Sequence, residues 1–227
     1  MTVGPSLYWY LTRATGAVSL ILLTASVVIG IAAIGRVRGQ AVPRFVVDGL
    51  HRTASLLAIV FLLVHIVTSV LDSFAPISFA NAVIPFTGAY RPLWLGLGAA
   101  AFDLLLAVTI TSVFRRHIGH GAWRAVHWLA YLAWPLGVLH GFGTGSDVHQ
   151  KWLLAIDVAC IAAVLVGVVV RVMIGWPDNV RLRLGALGLA TAFALGLVVW
   201  LPGGPLGKGW ARRSGTPASL LGHGAHA

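Results

Sequence analysis

The chain has 227 residues, a mean hydropathy of +0.89, 58% hydrophobic residues and only 10% charged ones. A soluble domain carries about 25% charged residues, so this composition excludes a soluble globular enzyme and a disordered or fibrous chain. Lys and Arg total 16 against 6 acidic residues, a formal +10, yet no basic stretch is long enough to track phosphates, which excludes nucleic acid as a partner.

The apolar residues form continuous runs near twenty residues rather than the alternation of a transmembrane barrel. They predict an all-α fold, a polytopic membrane bundle of about six transmembrane helices. The first segment covers residues 14–34. No basic residue precedes Arg13 and no cleavage pattern follows a short apolar core, so a retained helix is expected rather than a signal peptide. A Gly-Arg-Val-Arg-Gly run and Pro43 separate it from the second segment, 46–71. A loop with Pro76, Pro85 and Pro92 leads to the third, 93–114. That loop is apolar, with Phe74, Phe79, Phe86 and Tyr90, and suits either a membrane-surface cover or a partner-docking patch. The fourth segment covers 123–142, after Gly119 and Gly121. The fifth covers 152–173 and the sixth 184–201, with Trp176-Pro177-Asp178 between them. Each is long enough to cross a core of about 30 Å at about 1.5 Å per residue. Trp9, Trp94, Trp123, Trp152 and Trp200 fall at segment ends, as an interfacial aromatic belt requires. Beyond Leu201 the Gly- and Pro-rich chain is expected to lack regular structure.

Basic residues divide unevenly between the two sides. The loops and helix ends after segments one, three and five hold Arg36, Arg38, Arg44, Arg52, Arg115, Arg116, Arg124, Arg171, Arg181 and Arg183. The other side holds Arg13, Arg91, Lys151, Lys208, Arg212 and Arg213. This bias predicts a multi-pass protein of the cytoplasmic (cell) membrane with both termini extracytoplasmic. The lone cysteine, Cys160, lies in an apolar run and cannot form an intrachain disulfide.

The chemistry is carried by histidines, because an ionisable side chain within a membrane helix is costly. His51 and His65 fall on the second helix, His127 and His140 on the fourth. Spacings of 14 and 13 residues correspond to about 21 Å and 19.5 Å along a helix axis. The two helices run in the same direction, so His51 shares a depth with His127, and His65 with His140. Two histidines at one depth can supply both axial ligands of a haem iron, and two such pairs stack two haems across a bilayer. At about 100° per residue His51 and His65 share a helix face, whereas His127 and His140 do so only if Pro135 between them changes the phase. Two alternatives stand beside this: four hydrogen-bonded packing histidines, or zinc, for which pairs about 20 Å apart offer too few ligands each.

The run His51-Arg52 then His65, Thr111-Ser112 with Arg115-Arg116, and Trp123-Arg124 then His127, Tyr131 and His140 resembles the ferric reductase-like transmembrane domain family over roughly residues 11–171. That family includes the membrane haem core of ferric reductases and NADPH oxidases, and the haem subunits of periplasmic methionine sulfoxide reductases. The resemblance implies two haem b groups with His51, His127, His65 and His140 as axial ligands to iron. It also implies that the basic loops before the His helices face the cytoplasm. Arg124 stands three residues before His127, and Arg52 beside His51; each can pair with a haem propionate, with positive-inside snorkelling as the plain alternative.

Unlike the oxidases, the sequence has no G-x-G-x-x-G between a strand and a helix. The expected oxidoreductase component therefore lacks its own flavin and nicotinamide domain. Its electrons are expected from a separate flavoprotein or a quinol, and its acceptor is ferric iron or an extracytoplasmic flavin-bearing or reductase partner. The organisation is a six-helix transmembrane di-haem domain over 1–201 and a flexible extracytoplasmic tail over 202–227. A haem-bearing anchor subunit of a larger redox complex and a haem-free transporter are the alternatives; a transporter would show broken helices at the bilayer midplane. Asp103 and Asp157, inside helices three and five, suit either a proton relay or a structural pair. Tyr131 and Trp134 lie between the two His depths, as packing or as an electron path. His117, His120, His223 and His226 are expected to be solvated, and His149 lies in the loop between helices four and five.

Overall fold

A computed structural model describes residues 6–34, 43–145, 148–174 and 176–221. Arg36, Arg38, His223 and His226 lie outside the described residues. The elements in chain order are α1 (Leu7–Ile34), α2 (Arg44–Leu71), α3 (Phe79–Val83), α4 (Pro92–Val113), α5 (Arg115–Ile118), α6 (His120–His127), α7 (Ala130–Thr144), α8 (Lys151–Ile174), α9 (Val180–Gly203), α10 (Trp210–Arg213) and α11 (Ala218–Leu221). Among the described residues there is no strand. The fold is all-α. Five helices, α1, α2, α4, α8 and α9, are long and apolar enough to cross a membrane, which fits a multi-pass membrane protein.

The fourth apolar segment differs from expectation. It is two helices, α6 and α7, separated at Trp128 and Leu129. Tight turns occupy the break: Leu129 N–H donates to Val126 O, Tyr131 N–H to Trp128 O and Leu132 N–H to Leu129 O. Pro135 sits within α7 and has no N–H to give the carbonyl four residues back, which loosens the turn it closes. In a tight i→i+3 turn each residue advances about 120° rather than about 100°. The break between His127 and His140, about two turns before Pro135, therefore moves their phase toward a shared face relative to a straight helix.

The contacts group the chain into two compact units. One comprises Met1–Ala17, Ile59–Asp147 and Gly209–Ala227, the other Val18–Ala58 and Val148–Lys208. In the first, α4 packs along α7, and this interface is the core of the unit. Ala99, Ala101, Leu105, Ala133, Trp134, Val138 and Phe142 are buried there. Small residues such as Ala99, Ala101 and Ala133 let the helices approach closely, because in lipid no hydrophobic force separates helix from solvent and van der Waals contact has to hold helices together. Ser78 and Asn81 form a capping box that starts α3, which packs on α4. The Ser6 hydroxyl accepts from Trp9 N–H at 3.0 Å at the start of α1 and donates to Asp72 at 2.9 Å.

In the second unit α8 packs against α9. The Arg183 Nη1 donates to the carbonyls of Arg171 and Val172, each at 3.0 Å, and so caps the end of α8 with a cation where the helix dipole is negative. Throughout the long helices hydroxyls turn back onto carbonyls four residues earlier, as Thr109 does to Leu105 and Ser112 to Val108. This satisfies polar groups in surroundings that offer no water.

The segment after Leu201 also departs from expectation. Between Gly209 and Leu221 it forms α10 and α11 and belongs to the first unit, where Arg91 N–H donates to Gly215 O. The sequence shows its Gly and Pro content but not the buried partner that fixes it.

A tight approach to backbone occurs at Gly96, where an added methyl would lie 2.2 Å from the Phe86 ring and 2.6 Å from its backbone nitrogen. Gly96→Ala is expected to cost about 1–3 kcal/mol, because backbone cannot swing aside. Gly137→Ala, with nothing within 4 Å, is the matched control and should melt at or slightly above the parent temperature in detergent.

Candidate functional site

Three of the four membrane histidines are seated in the same way. His65 Nδ1 is 2.7 Å from the Thr12 carbonyl, His51 Nδ1 is 3.0 Å from the Ser26 carbonyl, and His140 Nδ1 is 2.9 Å from the Trp94 carbonyl. A carbonyl only accepts, so in each ring Nδ1 carries the hydrogen and Nε2 carries the lone pair. That is the tautomer a histidine needs to ligate a metal through Nε2, and the carbonyl contact orients the ring and raises its basicity.

Each acceptor is followed four residues later by a glycine. Thr12 is followed by Gly16, Ser26 by Gly30, and Trp94 by Gly98. A methyl on Gly16 would lie 3.0 Å from the His65 ring, and one on Gly98 would lie 2.4 Å from the His140 ring. On Gly30 it would lie 3.4 Å from His51, an ordinary contact. The spacing has a simple cause. A helical carbonyl points toward residue i+4, so a ring that reaches the carbonyl lies over that residue's Cα, and a side chain there would occupy its place.

His65 and His140 come together. Their ring centroids are 6.3 Å apart and their planes nearly perpendicular, at 87°. The hydroxyls of Thr68 and Ser69 accept nothing from the rings; they turn back to His65 O, as Thr144 does to His140 O. His51 and His127 belong to different compact units. His51 has the Ser26 hydroxyl 3.4 Å from Nδ1, and that hydroxyl is 2.6 Å from Ser55. The His127 ring stacks on Trp123, with centroids 5.0 Å apart and planes at 29°. Trp123 Nε1 donates to the Ser112 hydroxyl at 3.2 Å. Ser112 is fourteen residues beyond Gly98, so the turn of α4 that would correspond to a glycine seat carries a hydroxyl instead.

Residues 15–138 match the ferric reductase like transmembrane component family, 124 of 227 residues and thus more than half of the chain. The chain belongs to that family. No curated protein and no solved structure matches it. As a ferric reductase-like component the protein is a membrane-embedded redox, electron-transfer component, and its family generally binds haem. The matched span takes in His51, His65 and His127 and stops two residues before His140.

Arg52 and Arg124 are exposed, and no side-chain hydrogen bond to either guanidinium is present among the described residues. Trp134 is buried, whereas Tyr131 is 43% exposed, so only the former belongs to the packed core. Asp103 and Asp157 are partly buried on α4 and α8. Among the described residues no group of three or more His, Cys, Asp or Glu side chains forms a metal cluster. His117 and His120 are exposed, beside Phe114 and Trp123 respectively. His149 lies 3.4 Å from Leu206 O.

The sequence reading missed the backbone acceptors and their glycines. A signal for them was present: Gly16 and Gly30 repeat the 14-residue interval of His51 and His65. Gly98→Ala is expected to push the His140 imidazole off the Trp94 carbonyl, while Gly30→Ala leaves His51 seated. Nitrogen-15 NMR of labelled histidines checks this, since the Nδ1–H tautomer signal of one ring should be lost in the first variant and kept in the second.

Proposed function

We propose that this ferric reductase-like component carries electrons across the cell membrane through two haem b groups, one held by His65 and His140 and the other by His51 and His127. The observation that carries the reading is the facing pair His65 and His140, each anchored through Nδ1 with Nε2 as the lone-pair nitrogen. Two imidazoles that would both bond one iron at about 2 Å would have ring centres roughly 6 Å apart, and the 6.3 Å separation of His65 and His140 supports that donor set. A haem iron held by both histidines would supply one-electron chemistry rather than oxygen chemistry.

The protein's own share is positional. The carbonyl seats fix each tautomer and ring direction, and the apolar helices around them exclude water, which sets potential and ligand basicity. Arg124 and Arg52 are placed as exposed cations beside His127 and His51, suited to carboxylate groups of a bound haem at the cytoplasmic side. The excess of basic residues in the loops before the His helices supports a cytoplasmic location for those loops and extracytoplasmic termini. The donor in this reading is a separate flavoprotein or a quinol. The acceptor is ferric iron or an extracytoplasmic flavin-bearing or reductase partner.

Oxidised and dithionite-reduced absorption spectra of the detergent-purified protein, with haem quantified per chain, test this. Two low-spin b-type haems are expected. His65→Ala and His140→Ala should each remove the same haem, and His51→Ala and His127→Ala the other. Purified protein without haem, from cells able to supply it, would overturn the reading.

A further inference from the structure

Arg91 is 4% exposed, although it precedes the first residue of α4 and carries a charge. Its backbone is left-handed, with φ of 42°, a conformation that a non-glycine residue keeps only when its surroundings impose it. Nη1 donates to Gly143 O at 3.0 Å and to Gly145 O at 3.4 Å. Nε donates to the Thr216 hydroxyl at 3.0 Å, and the backbone N–H donates to Gly215 O at 3.1 Å. All these partners are neutral. The buried cation sits on the terminal carbonyls of α7, where the helix dipole is negative, and this offsets part of the cost of burial.

These ties share a register with the histidine seat. Arg91 meets Gly143, and three residues further along α4 Trp94 meets His140, three residues earlier on α7. Gly143 is also the crossing point of a second set of contacts. Its carbonyl accepts from Trp210 Nε1 at 3.2 Å, and the Trp94 and Trp210 rings lie 5.3 Å apart. A methyl on Gly143 would fall 2.2 Å from the Trp94 ring. Gly215, with φ of 90°, brings the C-terminal segment against Pro92 closely enough that a methyl would lie 3.0 Å from its ring.

We infer that Arg91 is a positioning residue for His140, and that the C-terminal segment from Trp210 to Thr216 is the other half of the same clamp. The clamp fixes the end of α7 against the start of α4, and thereby holds the Trp94 carbonyl where His140 Nδ1 needs it. A guanidinium suits this task because its planar fork reaches carbonyls on α7 and a hydroxyl on the tail at once, which a lysine ammonium cannot. The inference rests on the haem reading of His65 and His140. It assigns a role to Gly143, Trp210 and Thr216, which lie beyond the family match.

The test uses the full-length haem-loaded protein in detergent: parent, Arg91→Gln, Arg91→Lys, Trp210→Phe and His140→Ala. Haem per chain, the low-spin electron paramagnetic resonance signals, the redox titration and the melting temperature are read for each. Arg91→Gln is expected to shift or lose the same signal that His140→Ala removes, with haem retention at that position weakened about 10-fold or more, and to leave the other signal in place. Trp210→Phe, which keeps an aromatic ring but not the N–H, should shift that signal in the same direction by less. Arg91→Lys should recover part of the effect. Equal changes in both signals, or a lower melting temperature with unchanged spectra in Arg91→Gln and Trp210→Phe, would reduce the clamp to a structural tie and overturn the inference. Full recovery in Arg91→Lys would overturn the fork geometry. Failure of the haem reading is separately visible, as a parent protein without haem or as His140→Ala with its haem intact.

Discussion

A histidine inside a membrane helix has to be told which nitrogen carries its proton. In this protein the backbone does so. His51, His65 and His140 each give the Nδ1 hydrogen to a helical carbonyl, at 2.7 to 3.0 Å. The carbonyl is already spent within its own helix and can take a second donor only if the turn above it is open. Gly16 and Gly98 open that turn, and an alanine in either place would press on the ring. The close packing of α4 on α7 follows from the same constraint, since the His140 imidazole reaches Trp94 only when the two backbones are near. Small residues along that interface serve both helix association and ligand seating.

The position of charge obeys a similar economy. Among the described residues Arg91 is buried without an acidic partner within reach, and α7's terminal carbonyls receive it. Arg183 does the equivalent at the end of α8. In both places a guanidinium satisfies carbonyls that a helix end leaves over and water cannot easily reach. Arg52 and Arg124, by contrast, remain exposed. Their location suits an anionic group brought by a ligand, whereas Arg91 is occupied by the protein itself. The two kinds of arginine are indistinguishable in the sequence, because both stand beside an apolar segment.

Family membership and geometry meet on different residues. The match to the ferric reductase like transmembrane component covers residues 15–138 and makes the chain a membrane redox component. The facing rings of His65 and His140, the Trp94 acceptor and the tail contacts come from packing, and His140 and the tail lie outside that match.

Composition alone fixed the class. A chain with 10% charged residues has no way to cover a water-facing surface, and uninterrupted apolar runs near twenty residues have no way to satisfy their backbones in lipid except as helices. Spacing also paired His65 with His140, and their rings lie 6.3 Å apart, because rise per residue is a local property. What remained invisible depended on partners distant in the chain. The break at Trp128 and Leu129 was hidden inside an apolar run that reads as one helix, and Pro135 marked it only approximately. The helical turns after Gly209 looked like a Gly- and Pro-rich tail, since their order comes from Arg91, more than a hundred residues away. Backbone acceptors leave no trace in side-chain identity; only the glycine that admits a ring does. Local periodicity determined that the apolar segments are helices, and tertiary packing decided which carbonyl each ring meets, because that choice is made by the neighbouring helix and not by the histidine's own.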